Sequence, residues 1–256
     1  LAGVPDWLSL QLIVEGERFS LDQGQVLAHE RALDMRTGTL TRRLQWRSPA
    51  GRTVEVHSER WASMDSEHLC VLRYGVTALD FAGEVELRAE IDATVENPGT
   101  LVPAEVGLSH WRRIGYGHPS PQMAYLHART RLSDIELAAA MHLTVEGVAK
   151  AEYLARDSAH APGVAGRCRL ERGETAVATK LVAFYTSNEE QRPLAAALEA
   201  VDAAARQGYS SLWRAHRARW EDLWQDCDVL IEGDDQVQQA VRHNLYQLPS
   251  RATPDV

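Results

Sequence analysis

The sequence contains few cysteines. Its 256 residues include three, Cys70, Cys168 and Cys227, which are far apart and odd in number. Small secreted proteins that depend on disulfides carry an even set of closely spaced cysteines. The pattern therefore excludes a disulfide framework and predicts reduced thiols in a cytoplasmic protein.

Segments typical of membrane, secreted or metal-binding proteins are also missing. No apolar run approaches the length of a transmembrane helix, and residues 1–5 lack the basic start and hydrophobic core of a secretion signal. They also lack an initiator methionine, so we expect a chain trimmed at its start. No CxxC or HExxH spacing indicates a metal site, and no cofactor motif is present. The net charge of −9 and the pI of about 5.6 argue against nucleic acid or an anionic membrane as a main partner.

Carboxylates are numerous, but their spacing does not form a catalytic pair. A glycosidase needs an acid with a raised pKa that faces a second carboxylate across the sugar. Glu86, Glu90 and Asp92 instead alternate with apolar residues on one strand, with Arg88 among them, and this predicts a solvated face. GxSxG elbows, P-loops and GxGxxG fingerprints are absent. Taken alone, the residues indicate no active centre.

Apolar and polar residues alternate most strongly between residues 39 and 76. Leu44 and Trp46 share one phase of the first strand, and a turn with proline and glycine follows it. The returning strand changes phase at Trp61, which predicts a β-bulge near residues 58–60. A third strand completes a meander that is typical of an antiparallel sheet.

Strands and helices occupy separate parts of the chain. Residues 85–95 alternate without a fault, and about twelve strands are predicted in all. From Pro193 the apolar spacing becomes helical, and Gly208 is placed to end the first helix. The sequence therefore predicts a mainly β protein, with an antiparallel β-sandwich domain at 1–187 and a helical segment at 188–256.

The alternation stops between residues 97 and 122. This segment is rich in glycine and proline and holds a group of aromatic and basic side chains. Long irregular loops are often functional, so this group is a candidate substrate-facing site. The candidates are His110, Trp111, Arg112, Arg113, Tyr116 and His118. A loop that contacts a sugar or another domain and a plain surface loop remain open alternatives, and Trp111 either stacks on a sugar or pins the loop to the sheet.

Five stretches of the chain occur in an order that matches a known family. They are VPDWL at 4–8, LDMRTGTLTR at 33–42, RWASMD at 60–65, IDATVEN at 91–97 with His110-Trp111, and WEDLW, IEGD and QAVRHNLYQL between 220 and 248. Together they resemble the N-terminal part of glycoside hydrolase family 65. Ala93 stands where the family pattern has glycine, and the resemblance ends after Leu248.

The resemblance implies a super-β-sandwich of the galactose mutarotase type, then a helical linker, then an (α/α)₆ barrel. In that family the barrel carries the general-acid glutamate and the phosphate site, so no catalytic residue is expected in this chain and the chain alone is expected to be inactive. The implied reaction is phosphorolysis or hydrolysis of an α-linked glucose disaccharide such as trehalose, maltose or kojibiose. The implied co-substrate of a phosphorylase is inorganic phosphate, with no other cofactor.

The resemblance also implies partners for this chain. They are its own catalytic barrel, whose active-site mouth the sandwich would support, and a second copy in a homodimer. A free-standing carbohydrate-binding sandwich and a purely structural interaction module remain as alternative hypotheses.

Overall fold

The computed structural model describes residues 3–95 and 110–248, and two antiparallel sheets form its β part. The strands are β1 Leu10–Val14, β2 Glu17–Arg18, β3 Gln25–Asp34, β4 Thr39–Arg47, β5 Thr53–Ala62, β6 Leu69–Ala78, β7 Gly83–Glu90, β8 Trp111–Ser120, β9 Met123–Thr130, β10 Glu136–Glu146, β11 Glu152–Ala155, β12 Gly163–Leu170 and β13 Thr175–Thr186. One sheet has five strands in the order β11-β12-β7-β1-β2, and the other has eight in the order β3-β4-β5-β6-β13-β10-β9-β8. The prediction of a mainly β, antiparallel fold is confirmed.

The two sheets face each other across an apolar core. Leu87 of β7 and Trp46 of β4 have no exposed surface and belong to the same buried cluster. Successive side chains of a strand point to opposite faces, so the alternating residues of each strand supply one wall of this core. Burial of apolar surface, at about 25 cal/mol per Å², is the main force that holds the sheets together.

Helices cover part of the outer face of the eight-stranded sheet. Helix α1 spans Pro193–Gln207 and helix α2 spans Tyr209–Cys227. Trp61, Val71 and Leu181 of the sheet are buried in a second cluster that includes residues of both helices. The ends of β6 and β13 that hold Val71 and Leu181 are therefore buried on both faces.

The β-bulge predicted near residues 58–60 is absent, and the helical layer explains why Trp61 changes phase. The pairing of β5 with β4 and with β6 continues through that region without a register shift. Trp61 is out of phase because its side chain packs on the outer face of the sheet, where it stacks on the ring of His216. The irregularity lies instead in β3, between Val26 and Ala28.

Residues 111–120 form a strand, not the irregular loop expected from the sequence. β8 lies at the edge of the eight-stranded sheet, and its register with β9 shifts at 113–115 and at 117–120. An edge strand tolerates bulges and Pro119, because only one of its sides completes a ladder. These irregularities remove the alternation that the prediction relied on. The part of the expected loop at 97–109 lies outside the described residues.

The polar face of β7 is less solvated than expected. Glu86 and Glu90 are only 6% and 8% exposed, because side chains of β1, β7 and β12 lie against them. Glu86 accepts hydrogen bonds from Arg88 at 2.7 Å and from Arg167 at 2.9 Å. Burial favours a raised pKa for Glu86, but these arginines reverse its effect and hold the pKa below its usual range. The predicted solvated face is thus a network of partly buried ion pairs.

The C-terminal part of the described chain is helical. Gly208 ends α1 with a φ of 79°, which confirms the predicted helix end. Helix α3 spans Asp235–Gln247, and the carboxylate of Asp234 caps it by accepting two backbone N–H groups of its first turn at 3.0 Å. None of the described helices is long and apolar enough to cross a membrane. Within residues 3–95 and 110–248, no group of three or more histidine, cysteine or acidic side chains could hold a metal ion.

A buried lysine ties the two sheets together. Lys180 is one of two lysines in the chain and has no exposed surface in β13. Its Nζ donates to the carbonyl oxygens of Trp7 at 2.5 Å, Ser9 at 3.0 Å and Glu90 at 2.6 Å. Burial lowers the pKa of Lys180 to about 7. The three carbonyl groups favour the ammonium form, because a neutral amine has only two N–H groups to donate.

We expect Lys180→Met to lower the free energy of unfolding by about 2–5 kcal/mol, because three buried carbonyl groups lose their donor. The cost should grow as the pH rises from about 7 to about 10, at up to about 1.4 kcal/mol per pH unit. In that range the unfolded chain still binds a proton at Lys180 that the folded chain has released. The wild-type protein therefore gains stability as the pH rises through this range, and above about pH 10, where both states have lost the proton, the contribution of Lys180 no longer changes with pH.

Urea unfolding at several pH values measures both effects. Lys150→Met is the matched control, because the Lys150 side chain is 78% exposed. A cost that does not vary with pH would show that the folded protein keeps Lys180 charged throughout this range.

Candidate functional site

The turn between β3 and β4 carries the LDMRTG stretch and is closed by its own hydrogen bonds. Asp34 accepts the backbone N–H of Arg36 at 2.9 Å and the hydroxyl of Thr37 at 2.7 Å. Gly38 completes the turn with a φ of 59°, in the left-handed region. Aspartate bonds of this kind fix the shape of a turn, so its carbonyl groups are held in place for other donors.

Three aromatic side chains of α2 contact this turn. His216, Trp220 and Trp224 recur every four residues and therefore lie on one face of the helix. His216 Nε2 donates to the carbonyl oxygen of Thr37 at 2.7 Å, and Trp224 Nε1 donates to the carbonyl oxygen of Arg36 at 3.1 Å. The helix thus completes hydrogen bonds that the turn itself leaves open.

His216 also binds the segment after β5. The backbone N–H of Met64 donates to His216 Nδ1 at 3.1 Å, so Nδ1 accepts while Nε2 donates. This arrangement requires a neutral ring with its proton on Nε2. Burial lowers the pKa of His216, which keeps the ring neutral at neutral pH. The ring of Trp61 stacks on the imidazole with a centroid distance of 4.4 Å.

The ring of Trp220 lies directly over Gly38. A Cβ atom at position 38 would come within 2.6 Å of the indole, closer than side-chain atoms approach each other. Trp220 itself is only 2% exposed. We call these contacts the α2 clamp, which consists of Arg36, Thr37, Gly38, Met64, His216, Trp220 and Trp224.

Helix α3 is attached to the rest of the protein mainly by polar contacts. Arg242 donates to both carboxylate oxygens of Asp228, at 2.9 and 2.6 Å. The side-chain amide of Gln238 bonds two backbone groups of the segment before α3, at 2.7 and 2.9 Å. The ring of Tyr246 stacks on Trp220. No residue of α3 is buried by the described part of the chain.

A cleft of about 750 Å³ lies between the β3–β4 turn and the helices α2 and α3. Trp224 forms an aromatic part of its lining, beside the apolar side chains of Leu33 and Met35. The rest of the lining is polar: Asp34, Arg36, Glu221, Gln225, Asp228 and Arg242. The volume falls in the range of small-molecule sites.

The residues predicted to face a substrate lie on and beside β8, at the sheet edge opposite to β3. Trp111 is 6% exposed, packs in the main core and donates from Nε1 to the carbonyl oxygen of Gly3 at 2.7 Å. Of the two arrangements expected for this side chain, the structure has the pinned one. The carbonyl oxygen of His110 accepts the backbone N–H of Arg131 at 3.0 Å.

The other predicted residues form two separate contacts along β8. The guanidinium of Arg113 lies 4.8 Å from the ring centroid of Tyr116, which is 47% exposed. His118 Nε2 lies 2.8 Å from a carboxylate oxygen of Asp157. Arg112 is exposed. The structure brings Arg113 and Tyr116 together, and the role of the group towards a substrate stays a prediction.

The sequence alone did not single out the α2 clamp. Its helical spacing placed His216 on an apolar stripe, where a histidine is unusual. That was the available signal, because a buried imidazole needs hydrogen-bond partners for both nitrogens. The identity of those partners, two backbone groups far away in the sequence, is visible only in the fold.

The profile of the glycosyl hydrolase family 65 N-terminal domain matches residues 1–223. The chain belongs to glycosyl hydrolase family 65. It is 29% identical over 255 residues to alpha,alpha-trehalose phosphorylase of Thermoanaerobacter brockii, covering 97% of this chain and 33% of that protein. It is 33% identical over 242 residues to an uncharacterized glycosyl hydrolase of Mycobacterium tuberculosis, covering 93% and 31%. Kojibiose phosphorylase of Halothermothrix orenii is 26% identical over 268 residues, covering 97% and 32%.

The family 65 fold is supported by a solved structure as well. A structure described as a kojibiose phosphorylase from the human microbiome superposes with a TM-score of 0.78 at 18% identity, covering 95% of this chain and 31% of that one. At this level of identity the likeness shows a shared fold. The chain spans about a third of the length of the curated relatives it matches.

Three of the stretches that resemble family 65 meet in the α2 clamp. The LDMRTG turn contributes Gly38, the RWASMD stretch contributes Met64, and the WEDLW stretch contributes Trp220. Stretches that are far apart in the sequence therefore lie together in the α2 clamp, which fixes α2 on the sandwich.

We expect Gly38→Ala to be much more destabilising than Gly51→Ala. Gly51 has a φ of 87°, and no atom lies within 4 Å of the position that an added methyl group would take, so alanine there meets only the backbone penalty of about 1 kcal/mol. At Gly38 the same penalty is joined by a clash with Trp220, and the free energy of unfolding should fall by about 3 kcal/mol or more. Urea unfolding followed by tryptophan fluorescence measures both costs, and equal costs would contradict the clamp.

Proposed function

We propose that this chain is the accessory N-terminal part of a family 65 enzyme that phosphorolyses or hydrolyses an α-linked glucose disaccharide such as trehalose, maltose or kojibiose. Its role is to hold a following catalytic barrel in position. Residues 1–187 are the sandwich and 188–256 the linker in this proposal. The observation that carries it is the α2 clamp, which fixes the last helix of the family match against the sandwich.

The lengths and names of the relatives support this role. The matched curated proteins are about three times as long as this chain, and two of them are named as disaccharide phosphorylases. Inorganic phosphate is then the co-substrate of the complete protein if it is a phosphorylase. The proposal assigns no catalytic residue to this chain.

The exposed surface of α3 supports a further packing partner. Val237 and Leu248 are 45% and 69% exposed and lie about three turns apart on one side of the helix. Helices of stable domains bury such apolar stripes. In our proposal this stripe packs on the barrel, while Arg242 and Gln238 set the direction of the helix.

In this proposal, the two edges of the eight-stranded sheet contact different partners. At one edge, Arg113 and Tyr116 of β8 form an exposed pair that could line the mouth of the barrel's active site. At the other edge, every residue of β3 is exposed, which supports a contact with a second copy in a homodimer.

The complete reading frame that contains this chain should release glucose or β-glucose 1-phosphate from trehalose, maltose or kojibiose. Residues 1–256 alone should release neither product above a buffer control, because the proposal places the catalytic carboxylates in the barrel. A coupled glucose assay and a glucose 1-phosphate assay measure the two reactions. Turnover by residues 1–256 alone would refute the assignment of catalysis to a following barrel.

The positioning role is tested by His216→Phe in the complete protein. Phenylalanine keeps the stacking on Trp61 but leaves the Met64 N–H and the Thr37 carbonyl unpaired, at a cost of about 1–3 kcal/mol for each group. We expect lower kcat well below the melting temperature, because the barrel is no longer held in one orientation. His57→Phe is the control at an exposed position. Full activity together with a lower melting temperature would restrict the clamp to a role in stability.

The contribution of β8 to the active-site mouth is tested by Tyr116→Ala and His118→Ala in the complete protein. If these side chains face the substrate, KM for the disaccharide should rise by about fivefold or more, with little change in melting temperature. Leu132→Ala, at a residue that is 74% exposed in the β9–β10 turn, is the control. Wild-type kinetics of both variants, with loss of folding in Trp111→Ala, would make β8 a scaffold only.

A further inference from the structure

The cleft beside the α2 clamp is lined by polar side chains that can form further hydrogen bonds. The guanidinium of Arg36 and the side-chain amide of Gln225 make no hydrogen bond among the described residues, and both line the cleft. Both groups are donors, and the amide also accepts. The backbone of Arg36 is held at its N–H by Asp34 and at its carbonyl by Trp224. The guanidinium therefore projects from a turn whose shape is fixed.

Acceptors lie across the same space. The carboxylates of Glu221 and Asp228 line the cleft, and each is hydrogen-bonded to one arginine; the charge of Arg36 also acts on Asp228. An ionised carboxylate has about four lone-pair directions, so each keeps acceptor capacity beyond its arginine partner. The lining thus holds both donors and acceptors, which recognition of several neighbouring hydroxyl groups requires.

The charge balance of the lining selects against ions. Three carboxylates and two guanidinium groups face the cleft, which leaves one net negative charge. An anion such as a phosphate would meet this excess of negative charge, and a cation would meet Arg36 and Arg242. Trp224 adds an aromatic surface whose ring stacks on Trp220 and is thereby held rigid.

We propose that this cleft binds a neutral, polyhydroxylated ligand of the size of a disaccharide, with Arg36 and Gln225 as the principal donors, Glu221 and Asp228 as acceptors, and Trp224 as a stacking surface. The volume of about 750 Å³ accommodates such a ligand. The site lies beside the α2 clamp, between the β3–β4 turn and the helices α2 and α3. In this proposal it binds sugar without turnover.

Binding is measured on residues 1–256 by saturation-transfer NMR and calorimetry with maltose, trehalose and kojibiose as probes. We expect a Kd on the order of 1 mM, typical of shallow polar sites, for at least one of them. Arg36→Ala and Gln225→Ala should each weaken binding by about fivefold or more, which corresponds to one lost hydrogen bond of about 1 kcal/mol. Arg206→Ala, which removes an exposed arginine side chain of α1, is the control for charge and should leave binding unchanged.

Three results would overturn the proposal. They are no saturation transfer at about tenfold above the expected Kd, equal binding by wild type, Arg36→Ala and Gln225→Ala, and preference for glucose 6-phosphate over the neutral disaccharides. The test is independent of the proposed function. An inactive complete protein would refute the catalytic assignment and leave the binding result standing, whereas an active enzyme without sugar binding to residues 1–256 would refute the cleft alone.

Discussion

The buried imidazole of His216 is the contact on which the position of the helices depends. One ring nitrogen accepts a backbone N–H after β5, the other donates to a backbone carbonyl before β4, and the ring itself packs against Trp61. Each hydrogen bond has a backbone partner that cannot turn away to another group. The imidazole therefore satisfies both of its nitrogens only when turn, sheet and helix are in place together.

The eight-stranded sheet explains why the helices belong to the packed body of the protein. Part of its outer face is apolar, and Ala197 and Val201 of α1 lie fully buried against it. An uncovered apolar face of this size would be an aggregation surface. α1 and the first part of α2 therefore act as a third layer over the sandwich, and only α3 lies beyond it without a buried residue in the described structure.

The sequence predicted those strands in which one face lies against the core and the other against solvent. β4 and β7 alternate cleanly, and the antiparallel sandwich follows from them. Prediction was wrong where helices or charged side chains cover the face that was expected to meet solvent. Trp61 changes phase because helices cover the outer face, and Glu86 is buried because arginines of its own and a neighbouring strand reach over it.

The candidate site was harder to predict than the fold for a related reason. β8 was mistaken for a loop because an edge strand has one unpaired side and tolerates register shifts that a central strand excludes. The α2 clamp depends on pairs such as Met64 with His216, which are separated by 152 residues. Local periodicity reports on neighbours along the chain, so it carries no information about partners at that distance.

The chemistry of the clamp limits which residues can build it. Core positions such as Leu87 accept several apolar residues of similar volume, because burial has no direction. The clamp is different at two of its positions. Gly38 alone leaves room for the indole of Trp220, and only a side chain that both accepts and donates can join the two backbone segments that His216 joins. A contact of this kind permits few substitutions at Gly38 and His216, whereas burial alone would allow many.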